Sequence, residues 1–203
     1  MSFARSFANS VVLPDGKVLV VGGQAYPVPF SDNQSVMTPE LWDPATGAFT
    51  QMATIPIPRN YHSVAVLLPD GRVFSGGGGL CGTCTTNHPD GTIFTPPYLL
   101  NADGSAKPRP TITTAPASAS LGSTITVSTD RPVVSFALVR TGESTHSVDN
   151  DQRRVPLTIT GSSGTGYFLA IPADPGVALP GNYMLFAMDQ NGVPSVAAMV
   201  NVH

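Results

Sequence analysis

Polar and apolar residues alternate in short runs through the C-terminal half of this chain. The runs STITVSTD (123–130), VVSFALVR (133–140), RVPLTIT (154–160), GYFLAIP (166–172), GNYMLFAMD (181–189) and SVAAMVNV (195–202) are separated by turn sequences such as DQNG. A period of two turns one face of each run toward a core. The six runs therefore predict an antiparallel sandwich of immunoglobulin-like type over residues 108–203.

The N-terminal half repeats itself. VVLPDGKVLVVGG (11–23) and VLLPDGRVFSGGG (66–78) share an apolar strand, a Leu-Pro-Asp-Gly turn, a second strand opening on a basic residue, and a glycine run. The copies are offset by about 55 residues, and a period near 50 with paired strands and glycine doublets marks a kelch-type propeller blade. Glycines there let inner strands crowd the propeller axis. Between the copies, PELWDPATGAFTQMA (39–53) supplies a strand at LWDP, a turn at ATG and a further strand at AFTQMA. The predicted fold is all-β, with an incomplete kelch-type β-propeller over 1–100, a linker at 101–107 and the sandwich behind it. The linker opens the polar, proline-rich stretch NADGSAKPRPTITTAPASAS (101–120). About one and a half blades cannot close a ring, because propellers need at least four. A partial array leaves apolar faces uncovered, which predicts poor solubility or association with a partner.

Composition supports many short strands and tight turns. The chain has 203 residues, of which 41% are hydrophobic, enough to bury a core, and glycine and proline number 20 each. Its net charge of −3 and lack of a basic block give no electrostatic footprint for nucleic acid. No run approaches the roughly 18 apolar residues of a membrane span. The start, MSFARSFANS, lacks the apolar core of a signal peptide, whereas the low charge and CGTC at 81–84 have an extracellular character. NQS at 33–35 fits a glycosylation sequon, a triplet that also arises by chance.

The candidate chemistry begins at RNYHS (59–63), at the mouth of a predicted strand. Neighbours in a regular strand point to opposite faces. Tyr61 and His62 can share a target only where the strand is still irregular. Imidazole suits copper, zinc, iron and nickel, and a phenolate adds a preference for oxidised copper or iron. Taken alone, the pair reads as a half-buried loop dipeptide. His146 reads as a solvated loop residue, His88 as a turn residue and His203 as a frayed end.

Their surroundings change that reading. RNYHSVAVLLPDGRVFSGGGGLCGTCTTNHPDGTIFTPPYL, THSVDNDQRRVPLTI and GVALPGNYMLFAMDQNGVPSV closely resemble the C-terminal portion of the galactose oxidase family of secreted copper-radical oxidases. The related glyoxal oxidases share YHS and the terminal early-set sandwich. The resemblance implies that Tyr61 is an axial copper ligand and the base that takes the alcohol's proton, and that His62 and His146 are imidazole ligands. It implies that Phe7 and Phe30 line a sugar pocket, where an apolar wall suits a hexose ring face. It also implies a disulfide between Cys81 and Cys84. A thioredoxin-like redox pair is the other reading of CGTC, although no βαβ pattern surrounds it.

The departures are as informative. The family's radical unit, a tyrosine joined to a cysteine with a tryptophan stacked over it, lies in earlier blades absent here. Trp42 belongs to a blade strand and is not that tryptophan. Three of the four protein ligands for copper are thus expected, with no radical cofactor encoded. The expected substrates are a primary alcohol of the galactose type and O2, giving an aldehyde and H2O2, with the missing N-terminal propeller as a possible partner. A glyoxal or other alcohol oxidase of the same family is the first alternative. A non-catalytic carbohydrate-binding or adhesion module is the second. A zinc hydrolase is disfavoured, because no His-x-x-x-His or carboxylate cluster accompanies the histidines.

Overall fold

Both Leu-Pro-Asp-Gly turns join antiparallel strands in the computed structural model, which describes all 203 residues. Strands β1 (Asn9–Val12) and β2 (Val18–Val21) flank the first turn, with Val12 opposite Val18. The turn is closed by the Leu13 N–H donating to the Lys17 carbonyl at 2.8 Å. β3 (Glu40–Asp43) and β4 (Ala48–Gln51) complete a four-stranded sheet in the order β1-β2-β3-β4. Trp42 faces Phe49 across that last pair, as a blade residue would. A second sheet contains β5 (Ser63–Leu67), β6 (Val73–Gly77) and β7 (Gly91–Phe94).

The chain divides into two compact units. The first holds Met1–Leu68, Arg72–Phe94 and Gly142–Gln152, and the second holds Pro69–Gly71, Thr95–Thr141 and Arg153–His203. The 142–152 excursion leaves the second unit's strands and folds with the blade sheets. That assignment places His146 in the same unit as Tyr61 and His62.

The first unit buries an unusual share of polar groups. Of the ten buried polar or charged residues, eight lie in it: Asn9, Gln24, Glu40, Arg59, Asn60, Ser63, Ser75 and Ser147. Its apolar core is small and aliphatic, built from residues such as Val11, Leu13, Val21 and Val73. Arg5 and Glu40 form an ion pair at 2.9 Å with both side chains fully buried. The Arg5 guanidinium also donates to the Gly22 and Thr38 carbonyls, at 2.8 and 2.5 Å, and the Ser2 N–H donates to Glu40 Oε1 at 2.6 Å. Paired in this way, the two charges tie the N-terminal segment to β3. Gly22 is required because its Cα faces the Arg59 carbonyl too closely for any side chain, at φ +70°.

The second unit is an eight-stranded sheet that curls into two layers. Its strands are β8 (Ile112–Thr114), β9 (Ser118–Ala119), β10 (Thr124–Thr129), β11 (Ser135–Arg140), β14 (Arg154–Ser163), β15 (Gly166–Ala170), β16 (Gly181–Met188) and β17 (Ala198–Val202). Strands β12 (Ser144–Thr145) and β13 (Val148–Asp149) form a hairpin in the first unit. β14 links the layers: Val155 and Leu157 pair with β11, whereas Thr158 to Ser163 pair with β15 past a register shift near Thr160. The core between the layers includes Ile125, Val127, Phe136, Leu138, Leu169, Tyr183 and Leu185. The Phe136 and Tyr167 rings meet edge to face at 5.1 Å.

Several elements differ from the sequence reading. β10 keeps the predicted alternation, but β16 is buried on both faces from Tyr183 to Met188, as strands covered on both sides are. The proline-rich stretch behind the linker contains β8 and β9, which the alternating runs did not include, and β9 pairs parallel with β17. Residues 101–107 form a tight hairpin with Leu100 bridged to Ala106. His203 is not frayed, because its N–H donates to the Ala119 carbonyl at 3.0 Å and its carbonyl accepts from Leu121 at 2.9 Å.

Burial pushes the Glu40 carboxyl up, but the Ser2 and Arg5 hydrogen bonds and the Arg5 charge outweigh it and hold the group below its ordinary range. A lowered folded-state value stabilises the fold above the unfolded-state value and ceases to do so as pH falls through the folded-state value. Glu40→Gln strands a buried guanidinium and should cost about 3 kcal/mol in urea unfolding at neutral pH. It should also remove Glu40's share of the stability that the parent chain loses as pH drops below about 4.

Candidate metal centre

Arg59 and Asn60, both buried, fix the chain just before β5. Arg59 donates to Asp90 Oδ1 at 2.6 Å and to the Gly77 carbonyl at 3.0 Å, so its side chain grips β6 and the segment entering β7. Asn60 opens a tight turn, its carbonyl accepting the Ser63 N–H at 2.9 Å. Tyr61 and His62 occupy the middle of that turn, and His62 has φ +68°. Left-handed backbone breaks the alternation of a strand, so the two adjacent rings lie stacked, 4.0 Å apart with planes 26° from parallel.

His146 arrives from the β12–β13 hairpin. Thr145 pairs with Val148, which leaves His146 and Ser147 as the two loop residues, at φ +52° and +64°. Positive φ at both positions is the geometry of a type I′ turn, which normally recruits Asn-Gly. Here histidine and serine occupy it, held by the Ser147 N–H on the Ser63 carbonyl at 3.1 Å and the Ser147 hydroxyl on the Asn60 carbonyl at 3.2 Å. The His146 ring meets the His62 ring edge-on at 4.8 Å and lies 6.1 Å from the Tyr61 ring.

Two phenylalanines close in on the same point. The Phe7 ring is 5.1 Å from Tyr61, and Phe30 lies edge-on to Tyr61 at 5.3 Å and to His62 at 5.6 Å. Phe30 sits in a loop pinned from inside by Gln24, whose side-chain amide donates to the Ser31 and Asn33 carbonyls at 2.7 and 3.0 Å. Asn60 supports the same loop through Ser31 and Ser35. His88, read from sequence as a turn residue, contacts both carboxylate oxygens of Asp32 through Nε2 at 3.1 Å, two residues from Phe30. Cys81 and Cys84 form a disulfide in the loop beyond β6.

Seven non-glycine residues of the chain have positive φ, and four of them are Phe7, Phe30, His62 and His146. Such conformations cost about 1–3 kcal/mol each and persist where their surroundings over-determine them. Their concentration around one cluster makes it the candidate functional site, independent of any chemistry assigned to it.

The donor set suits a metal that accepts imidazole and phenol. No group of three His, Cys, Asp or Glu side chains is arranged around a common point, so the third donor would be the Tyr61 oxygen. His62 Nδ1 lies 2.7 Å from the Gly79 carbonyl. A carbonyl can only accept, so Nδ1 carries the proton and Nε2 presents its lone pair, the tautomer a ligand needs. His146 Nδ1 is 2.7 Å from the Thr145 hydroxyl, a partner able to orient that ring likewise. Two imidazoles with a phenol fit oxidised copper or iron better than the thiolate-, imidazole- and carboxylate-rich sets of zinc sites.

Comparison with known proteins identifies the family. Residues 1–87 match the family described as glyoxal oxidase N-terminus, and residues 109–202 match the galactose oxidase-like early set domain. A galactose oxidase of Gibberella zeae is 52% identical over 201 residues, covering 98% of this chain. The chain belongs to the galactose oxidase family. It spans 30% of that relative's length. An aldehyde oxidase of Vitis pseudoreticulata is 35% identical over 222 residues, with 42% of its own length covered. A solved structure described as a novel fungal alcohol oxidase with catalytic diversity among the AA5 family, in complex with copper, superposes with a TM-score of 0.96 at 45% identity. That match covers all of this chain and 43% of the other.

Asn60, Gln24, Gly79 and Ser147 escaped the sequence reading, because they act through backbone contacts that no spacing announces. The adjacency of a polar pair to YHS was the one available hint for Asn60. If left-handed backbone at His146 is strained, His146→Asn, a better type I′ residue, should raise urea-unfolding stability by about 1 kcal/mol. A loss of stability in that variant would contradict that premise.

Proposed function

We propose that this chain contributes Tyr61, His62 and His146 as protein ligands to the copper of a galactose-oxidase-type copper-radical oxidase. The supporting observation is their convergence: four chain segments far apart in sequence bring three donor side chains and two phenylalanines together, with left-handed backbone at four of the five residues. Copper bound there would polarise a coordinated hydroxyl and supply a one-electron acceptor.

The chain's own residues divide the remaining work. Tyr61 takes the proton of the alcohol hydroxyl as general base. His62 and His146 each offer one nitrogen lone pair. Phe7 and Phe30 form an apolar wall that steers the carbon skeleton of a primary alcohol and excludes water. Oxidation to the aldehyde removes two electrons and two protons, which reduce O2 to H2O2. A second one-electron acceptor is therefore needed. Both cysteines of this chain are in the disulfide, so a cysteine-linked tyrosine must come from outside these 203 residues. We place that unit in the kelch-type blades that would complete the propeller. A hexose of the galactose type is the substrate class this wall suits, and the disulfide favours an oxidising, extracellular setting. No helix is long and apolar enough to cross a membrane.

A glyoxal or other aldehyde oxidase activity is the second reading. It is favoured by the family match over residues 1–87 and by the Vitis aldehyde oxidase.

Copper titration read by electron paramagnetic resonance tests the assignment. One equivalent of Cu(II) should bind with splitting from two nitrogens, and His62→Ala or His146→Ala should each lower affinity at least tenfold and leave one nitrogen. Weak, heterogeneous copper with the same spectrum in both variants would overturn it.

A further inference from the structure

His62 owes its tautomer to one atom, the Gly79 carbonyl oxygen, 2.7 Å from Nδ1. Gly79 also donates its N–H to the Tyr61 carbonyl at 2.9 Å. It therefore touches both residues of the Tyr-His pair, and its placement decides how the pair presents itself. Gly79 begins a surface loop that closes where the His88 N–H donates to the Gly78 carbonyl at 3.1 Å. At φ +79° its Cα lies against the Thr86 carbonyl with no room for a side chain, so Gly79 and the far end of the loop are in direct contact.

No apolar burial holds this loop. None of residues 80–87 is buried, and Leu80, its one aliphatic side chain, is 78% exposed. Two other devices hold it. The Cys81–Cys84 disulfide closes the CGTC turn covalently. Asn87 fills the loop from within: its Oδ1 accepts the Cys81 N–H at 3.0 Å and its Nδ2 donates to the Gly82 carbonyl at 2.6 Å. The bridge and the carboxamide thus lock the same turn from two sides, and the turn leads back to Gly79 through a single residue.

We infer that the Cys81–Cys84 disulfide and Asn87 are positioning groups for His62, holding the Gly79 carbonyl where it fixes the imidazole as the Nδ1–H tautomer with Nε2 as the ligating nitrogen. The consequence for copper rests on the function proposed above, but the tautomer itself does not. A structural role for the bridge alone would affect loop stability without changing the protonation site of a ring on the other side of Gly79. Partners that orient a ligating imidazole are worth about 10–100-fold in metal affinity.

The test reads the His62 tautomer directly by long-range proton–nitrogen correlation on the full, metal-free chain at about pH 8, where an ordinary imidazole is neutral. The parent chain should show His62 as Nδ1–H. The Cys81→Ser/Cys84→Ser double variant and, independently, Asn87→Ala should each shift His62 to a mixture with Nε2–H. Unchanged signals from the second unit, such as the Val127 and Leu169 methyls, would report that each variant is folded. Copper affinity should fall by about tenfold in both variants. A parent chain with Nε2–H at His62, or variants that both keep the parent tautomer, would overturn the inference. A tautomer that responds as stated, in a parent chain that binds copper only weakly, would uphold the positioning role and count against the copper assignment instead.

Discussion

The backbone carbonyl of Asn60 accepts the Ser63 N–H at 2.9 Å and the Ser147 hydroxyl at 3.2 Å. Both segments that carry the candidate donors meet at that one group. The first bond closes the turn that carries Tyr61 and His62, and the second docks the hairpin that carries His146. The Asn60 side chain meanwhile holds the loop of Phe30 through Ser31 and Ser35. Left-handed backbone at His62, His146 and Phe30 opposes this arrangement at about 1–3 kcal/mol per residue. A buried hydrogen bond contributes about 1 kcal/mol net, but leaving a buried partner unsatisfied costs more. Several such bonds acting on one short segment can therefore hold a strained cluster that no single one could. This explains why the first unit buries so many polar groups around a small aliphatic core.

Such an arrangement suits the copper-ligand role proposed for it. A metal site works when its ligands are held in place before the ion arrives. Flexible loops would have to be ordered by the ion at a cost to affinity. In this chain the turns are short, the rings touch, and the Gly79 carbonyl accepts a hydrogen bond from one imidazole's Nδ1. The cluster also sets two phenylalanine rings against the phenol and imidazole rings, which gives the proposed site an apolar side.

Much of this was legible in the sequence. The alternating runs located most strands of the sandwich, and the repeated Leu-Pro-Asp-Gly turns located both blade hairpins. The juxtaposition of Tyr61 and His62 at a strand mouth pointed to an irregular backbone, and the structure has one, with φ +68° at His62. Other features were hidden because they depend on tertiary contacts. The β12–β13 hairpin has no Asn-Gly or Asp-Gly to signal it, since His146 and Ser147 occupy positions that local preference would reject. The short strands β8 and β9 lie in a proline-rich stretch and exist because neighbouring strands offer them free edges. His88 looked like an ordinary turn residue until the fold brought Asp32 beside it. In each case local propensity was overruled by a partner distant in sequence.

The turns and hydrogen bonds described above should assemble Tyr61, His62 and His146 without metal and without further blades. Nuclear Overhauser contacts in the metal-free chain test it most directly. The rings of His62 and His146, 4.8 Å apart, and those of Tyr61 and His62, 4.0 Å apart, should give strong inter-ring cross-peaks. Coupling constants at His62 and His146 should report positive φ. A folded chain with no cross-peak between the His62 and His146 rings would show that the hairpin is not docked, and would contradict the account.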